Sequence, residues 1–367
     1  MTARADSAGA RLDRDDLRAA VAAGMISEAQ AASLVALAEA RSGARAHMDG
    51  RDEPFELFRG FNEIFIVVGL VILYSGWSAL TGVSIATSMT PGANVAALGA
   101  VTLAGLWVLA LYFTHRRRMV APSIALAVMA GLTASQIGLV AGWELGLAWQ
   151  ARFATAAGVA TVALLLWYVA FRVPFAVALV AVGTYATCGL ALVSGGAAIP
   201  DWRELFVLTG EGPFAWLTVV LGLGALALAL RFDMRDPHRV TRRASAGFWL
   251  HVVSAPAIVN SVALTLLEAE GLGPQLALAA FLCVLALVSV VIDRRSFLVA
   301  GAGYVVTLAF LLLQDWGAAA IVAIGLGLVL LGAQWERLRG AVMRALPRFP
   351  GKDRLPPWDL IDAKETA

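Results

Sequence analysis

The chain has 367 residues, of which 60% are hydrophobic and only 15% charged. Soluble domains run near half apolar and a quarter charged, so this composition excludes an ordinary soluble protein. A formal net charge of +2 excludes a basic nucleic-acid binder, and two cysteines inside apolar runs, Cys188 and Cys283, exclude a disulfide framework and read as small core residues.

Residues 1–59 read as a cytosolic N-terminal segment with a helical hairpin over about 13–41. Asp13 or Asp15 caps its first helix, where acids suit the dipole. Leu17 and Val21 stand i,i+4, and Gly24 offers a left-handed C′ residue. Ser27 with Gln30 forms a capping box for a second helix, with Ile26 as half of a staple. No apolar signal region lies before Phe61, so the first hydrophobic block serves for insertion. The hairpin is expected to be an appendage that docks a protein partner.

The turn Gly24-Met25-Ile26-Ser27, between a leucine-bearing helix and a Gln/Ala-rich one, resembles the front end of a family of bacterial multi-pass membrane proteins with a domain of unknown function. In that family such a hairpin precedes a block of spans. The later stretch FDMRDPHRVTRRASAGFWLH, from Phe232, is similar to segments of such proteins. The resemblance implies a membrane bundle behind the hairpin and carries no activity.

Ten apolar blocks follow, at about 61–83, 94–114, 120–141, 153–171, 174–194, 213–230, 245–267, 275–292, 296–313 and 317–334. Each has the length that crosses about 30 Å of hydrocarbon. Lipid offers no partner to a free backbone group, so they must be helices. They lack a period of two, which excludes a β-barrel. The expected fold is all-α: a polytopic bundle of ten spans over 60–334. With a cytosolic N-terminus, of the 28 Lys and Arg only Arg152 and Arg203 fall in outer loops. That asymmetry supports an even span count with both termini cytosolic, and with the resemblance it implies a bacterial inner membrane. Trp143, Trp149, Trp202, Trp216 and Trp316 fit an outer interfacial belt. Acids such as Glu144, Asp201, Glu204, Glu268 and Asp315 make a cation-attracting mouth or are what remains once basic residues are excluded.

Two features run across the spans. Arg172-Val-Pro-Phe175 recurs about 122 positions later as Arg294-Arg-Ser-Phe297, which suggests that spans two to five and six to nine are parallel repeats. Close-set small residues (Gly69 and Gly76; Gly222 and Gly224; Gly325, Gly327 and Gly332) suggest tight helix packing. Residues 335–367 read as a basic amphipathic helix on the anionic cytosolic leaflet and then, past Pro347, a mobile tail.

The most polar interruption runs from Arg231 to Ser261. Its basic loop (Arg235, Arg239, Arg242, Arg243) reads as a membrane-surface anchor that contacts anionic lipid. Span seven then carries His251, Ser254 and Asn260 into hydrocarbon, with Pro256 to kink it. His251 is a proton-relay or ligand residue, or it donates a hydrogen bond to a neighbouring helix. With Asn260, Ser254, Gln136, Tyr185 and Tyr304 it would line one polar path; otherwise these groups bond helix to helix. Asn62 and Glu63, opening span one, pair with a basic loop residue such as Arg235 or Arg239, or serve helix-start chemistry. Four histidines, His47, His115, His238 and His251, are too few and too scattered for a multi-histidine metal site, and no cofactor is expected. The leading expectation is a non-enzymatic scaffold or sensor. The alternative is a small-solute transporter or channel with a path near span seven. An enzyme would need acid and base groups to converge around Asp233, Asp236 and His238.

Overall fold

A computed structural model describes residues 14–26, positions 30, 31, 34, 35 and 37, residues 62–312 except 238 and 240, and 317–358 except 357. Asp13, Ser27, His47, His238, Asp315 and Trp316 lie outside the described residues, as does the side chain of Asn62. No strand occurs among the described residues.

Helix α1 (Arg14–Ala22) ends in a Schellman closure. Gly24 N–H donates to Val21 O (3.0 Å) and Met25 N–H to Ala20 O (2.9 Å). Gly24 has φ 70°, a conformation that suits a residue without Cβ.

Ten apolar helices follow: α2 (Asn62–Ala86), α3 (Pro91–Ala110), α4 (Val120–Glu144), α5 (Trp149–Phe171), α6 (Pro174–Ser194), α7 (Phe214–Asp233), α8 (Arg242–Glu268), α9 (Leu272–Ile292), α10 (Ser296–Leu312) and α11 (Gly317–Ala333). Pro91 and Pro174 sit in first turns, where a missing N–H costs nothing. Eight helices, α2 to α9, are long and apolar enough to cross a membrane. Helices α10 and α11 have 17 residues each. That gives about 25 Å of helix, at the lower limit for a span. A final amphipathic helix, α12 (Trp335–Ala345), turns off α11 at 80°. Helix α3 is prolonged by a π-helical turn, Leu111–Arg116, which no feature of the sequence announced.

Two cores divide the bundle. One joins α2 to α6 through Leu106, Leu126, Trp167, Phe171 and Ala176. The other joins α7 to α10 through Val259, Leu278, Leu285, Phe297 and Leu308. A smaller seam of Val177, Ala229, Ala246 and Leu250 links α6, α7 and α8. Helices α4 and α8 are the most enclosed of the spans.

The turns differ by end. On one side Gly146, Gly196 and Gly271 take positive φ. On the other the residues in that region are Arg118, Arg172, Arg239 and Asp293. A residue with a Cβ pays about 1–2 kcal/mol there. We name this second side the basic end. Arg118 to Arg239 and Arg172 to Asp293 are each 121 positions apart (239 − 118 and 293 − 172). The turns at Arg172 and Asp293 thus share a backbone conformation, one position off the sequence pairing of Arg172 with Arg294.

Three expectations need correction. Of the seven glycines expected in tight packing, only Gly222 is crowded, a Cβ there lying 3.0 Å from Ala257 Cβ. Gly69, Gly76, Gly224, Gly325, Gly327 and Gly332 face open space. Tight approaches fall instead at Gly138 and Gly142 on α4, against the α5 backbone. Neither cysteine is in the core: Cys283 is exposed and Cys188 half-buried. Lastly, the described part of the tail, residues 348–358 except 357, folds back on α12, and residues 359–367 lie outside the described residues. Lys352 Nζ donates to Met343 O (2.6 Å) and Leu346 O (2.8 Å), and Arg339 Nη2 to Pro356 O (2.6 Å). Those carbonyls close a helix end and a turn, and a buried cation satisfies them.

Candidate functional site

At the basic end, three elements meet on one carboxylate. Asp233 closes α7, where the helix dipole disfavours an acid, so a cation must lie close. Arg294, in the turn before α10, supplies it. Its Nε donates to Asp233 Oδ2 (3.1 Å) and its Nη2 to Asp233 Oδ1, a bidentate fork, while Nη2 also reaches Ala244 O (3.2 Å). His251, from the middle of α8, places Nε2 2.8 Å from Asp233 Oδ2. A carboxylate only accepts, so the proton of that contact sits on Nε2. His251 is fully buried, with its Nδ1 unpartnered and its ring set edge-on to Phe297. The cluster fastens α7, α8 and the α9–α10 turn.

Gly247 lets α8 approach it. A Cβ there would lie 2.7 Å from Asp233 Oδ1. Gly247→Ala is therefore expected to displace the carboxylate and cost about 1–3 kcal/mol, read as a lowered melting midpoint in mild detergent.

A second knot adjoins the first. Arg239 Nη1 lies 3.0 Å from Asp293 Oδ2, and its Nη2 donates to Asp293 O (2.8 Å). Trp335 Nε1 donates to Asp293 Oδ1 (2.7 Å), which ties α12 to the same turn. Both Arg239 and Asp293 are left-handed, and their ion pair offsets the backbone cost. Burial, with the nearby Arg294 guanidinium, lowers the Arg239 pKa from its ordinary value, and Asp293 opposes that shift. Thr241 caps α8, its Oγ1 accepting from Arg243 N (3.2 Å), and Asp236 holds that cap, accepting from Thr241 N and Oγ1, both at 2.7 Å. Arg242 is buried, its Nη1 donating to Phe171 O (3.2 Å) at the end of α5. The expected surface anchor is thus partly engaged: Arg242 is buried and Arg239, though exposed, is held by Asp293, while Arg235 is exposed and Arg243 half-buried.

The six residues expected along a polar path fall at four separate places. His251 is on Asp233, and buried Ser254 is next to it, its Oγ 3.4 Å from His251 O. Tyr304 hydroxyl donates to Asn260 Oδ1 (2.9 Å), joining α10 to α8. Tyr185 bonds Thr218 (3.1 Å), joining α6 to α7. Gln136 lines a void of about 30 Å³ in the other half, near Tyr74 and Thr133. Glu63 is fully buried and accepts from Ala121 N (3.1 Å), so it serves the N-terminus of α4 rather than Arg235 or Arg239. Of the acid–base group an enzyme would need, Asp233 and Asp236 are both taken up in these bonds.

Beside the two knots opens a cavity of about 820 Å³. Phe248, Val252 and Pro256 of α8 form one wall, the turn from Asp293 to Ser296 another, and Trp335 and Arg339 of α12 a third. None of the six path residues lines it. No group of three or more His, Cys, Asp or Glu able to hold a metal occurs among the described residues. At the opposite end, Arg152 stacks on Trp143 at 4.2 Å and Arg203 pairs with Glu268 at 2.5 Å. Of the acids read as a cation-attracting mouth, Glu268 is thus taken up in a local pair.

The sequence carried a sign of this site that went unused. An aspartate in the last turn of a span demands a cation, and the recurring basic turn at Arg294 offers one. The chain matches no protein-family model, no curated protein and no solved structure.

Proposed function

We propose that the chain is a non-enzymatic membrane scaffold or sensor of a bacterial inner membrane, with its basic end and both termini in the cytosol. The observation that carries this reading is the pairing of the bundle's polar side chains. His251 with Asp233, Tyr304 with Asn260 and Tyr185 with Thr218 bond across different helix pairs instead of facing one water path. Such bonds hold helices together at about 0.6 kcal/mol each and leave few groups for chemistry. The orientation rests on the arginines of one end and on exposed Trp143, Trp149, Trp202 and Trp216 at the other. A basic amphipathic α12 set at 80° to α11 suits a helix lying along an anionic leaflet.

The rival reading, a small-solute transporter, draws on the cavity touching Val252 and Pro256, on the same helix as His251. Cysteine labelling separates the two. In a background of Cys188→Ala and Cys283→Ala, the probe is a membrane-impermeant maleimide on cells. Arg235→Cys is expected to react only after permeabilisation and Glu211→Cys without it. Ser254→Cys and Asn260→Cys are expected to stay unlabelled from both sides. Labelling of either from one side would favour the solute path, and labelling of Arg235→Cys on intact cells would reverse the sidedness.

A further inference from the structure

We propose that the cavity between α8, α10 and α12 binds one acidic phospholipid. Its phosphate sits at the start of α10 on Arg295 and Ser296, and an acyl chain lies along Phe248, Val252 and Val299. This deepens the sensor reading by naming what is sensed.

The charges point to an anion. Four arginines line the cavity against Asp293 and Glu336. Arg294 is spent on Asp233, Arg239 on Asp293, and Arg339 reaches the Pro356 carbonyl. Arg295 meets the Trp335 ring, 5.0 Å from its centroid, and has no carboxylate partner among the described residues. Next to it, the buried Oγ of Ser296 has no hydrogen-bond partner. Ser296 also opens α10, whose first N–H groups lack acceptors within the helix. A phosphate has enough acceptor oxygens to satisfy the guanidinium, the hydroxyl and the helix start together.

The other half of the lining points to a lipid rather than a soluble anion. Val299 is 76% exposed and Phe248 45%, so the apolar wall opens sideways. A hydrocarbon chain can slide in from the bilayer and cover it. Inorganic phosphate would use the cationic end and leave that wall bare. The volume of about 820 Å³ suits a headgroup with the first part of its chains. Trp335 and Trp358, on α12 and the returning tail, border it as amphipathic rings do at a headgroup.

The test uses the full chain in neutral detergent. It is titrated with short-chain phosphatidylglycerol, short-chain phosphatidylcholine and inorganic phosphate, and bound adducts are counted by native mass spectrometry. The expected result is one phosphatidylglycerol per chain, held about tenfold more tightly than phosphatidylcholine. Arg295→Gln removes that preference, and Ser296→Ala weakens it should Arg295→Gln fail to fold. Val299→Trp fills the apolar wall and weakens both lipids. Arg116→Gln, at an exposed arginine of the same end, leaves binding unchanged. Equal affinity for the two lipids in the wild type would overturn the proposal. So would equal weakening by Arg116→Gln and Arg295→Gln, which marks diffuse surface attraction. Phosphate binding as tight as phosphatidylglycerol, with Val299→Trp silent, would assign a soluble anion instead. None of these readouts depends on sidedness, so failure here is distinct from failure of the labelling experiment.

Discussion

Asp233→Ala is expected to lower stability by about 3–5 kcal/mol, the largest loss of any single substitution considered. The carboxylate is 4% exposed and is shared by His251 and the Arg294 fork. Removing it leaves a guanidinium buried without its counter-charge and strips His251 of its one partner. The cost lies mainly in those stranded groups, not in the bonds themselves. Asp233→Leu combined with Arg294→Met should therefore recover much of the loss, because no unpaired charge remains. Unfolding in mixed micelles of mild detergent and dodecyl sulfate measures both. A loss below about 1 kcal/mol for the single substitution would show that water already screens the cluster.

Gly138→Leu should come next, with a loss of several kcal/mol or no folded protein at all. Even a single Cβ at position 138 would lie 2.8 Å from Ala156 Cα and 2.9 Å from Thr155 O. Those are backbone atoms of α5 and cannot rotate away, so α4 and α5 must separate, and overpacking of this kind typically costs about 1–3 kcal/mol, occasionally more. Gly69→Ala and Gly327→Ala have nothing within 4 Å to strike. They should be neutral, or stabilising by about 0.5–1 kcal/mol through helix propensity. A melting series over the three positions checks the order. If Gly69→Ala falls as far as Gly138→Leu, α2 has a neighbour that the monomer does not show.

These glycines also mark where reading the chain in one dimension stops. Long apolar runs located the helices, because only hydrocarbon-length segments with satisfied backbone survive in lipid. Inside and outside of a membrane bundle are both apolar, however, so spacing alone could not tell that Gly138 is pressed and Gly69 open. The polar groups failed differently. His251 was visible as an oddity in span seven, but its partner lies 18 positions back, and Arg294 stands 61 positions beyond Asp233. Nothing local pairs residues so far apart. The prolines and charge of the tail suggest a mobile segment. The order of its described part depends on Lys352 finding the free carbonyls of Met343 and Leu346.

The shared 121-residue interval of the left-handed turns has one more consequence. Stepping back by it from Asp233, His251 and Arg294 gives Tyr112, Ala130 and Val173. The two halves share those turns, yet among the described residues the ionic joint lies in the later one. The earlier copy closes its corresponding region with Trp107, Trp167 and Phe171 rings. Acid, which protonates the carboxylate, should thus loosen α7–α10 before α3–α6, and the molecule should come apart as a rigid oily half and an acid-sensitive one.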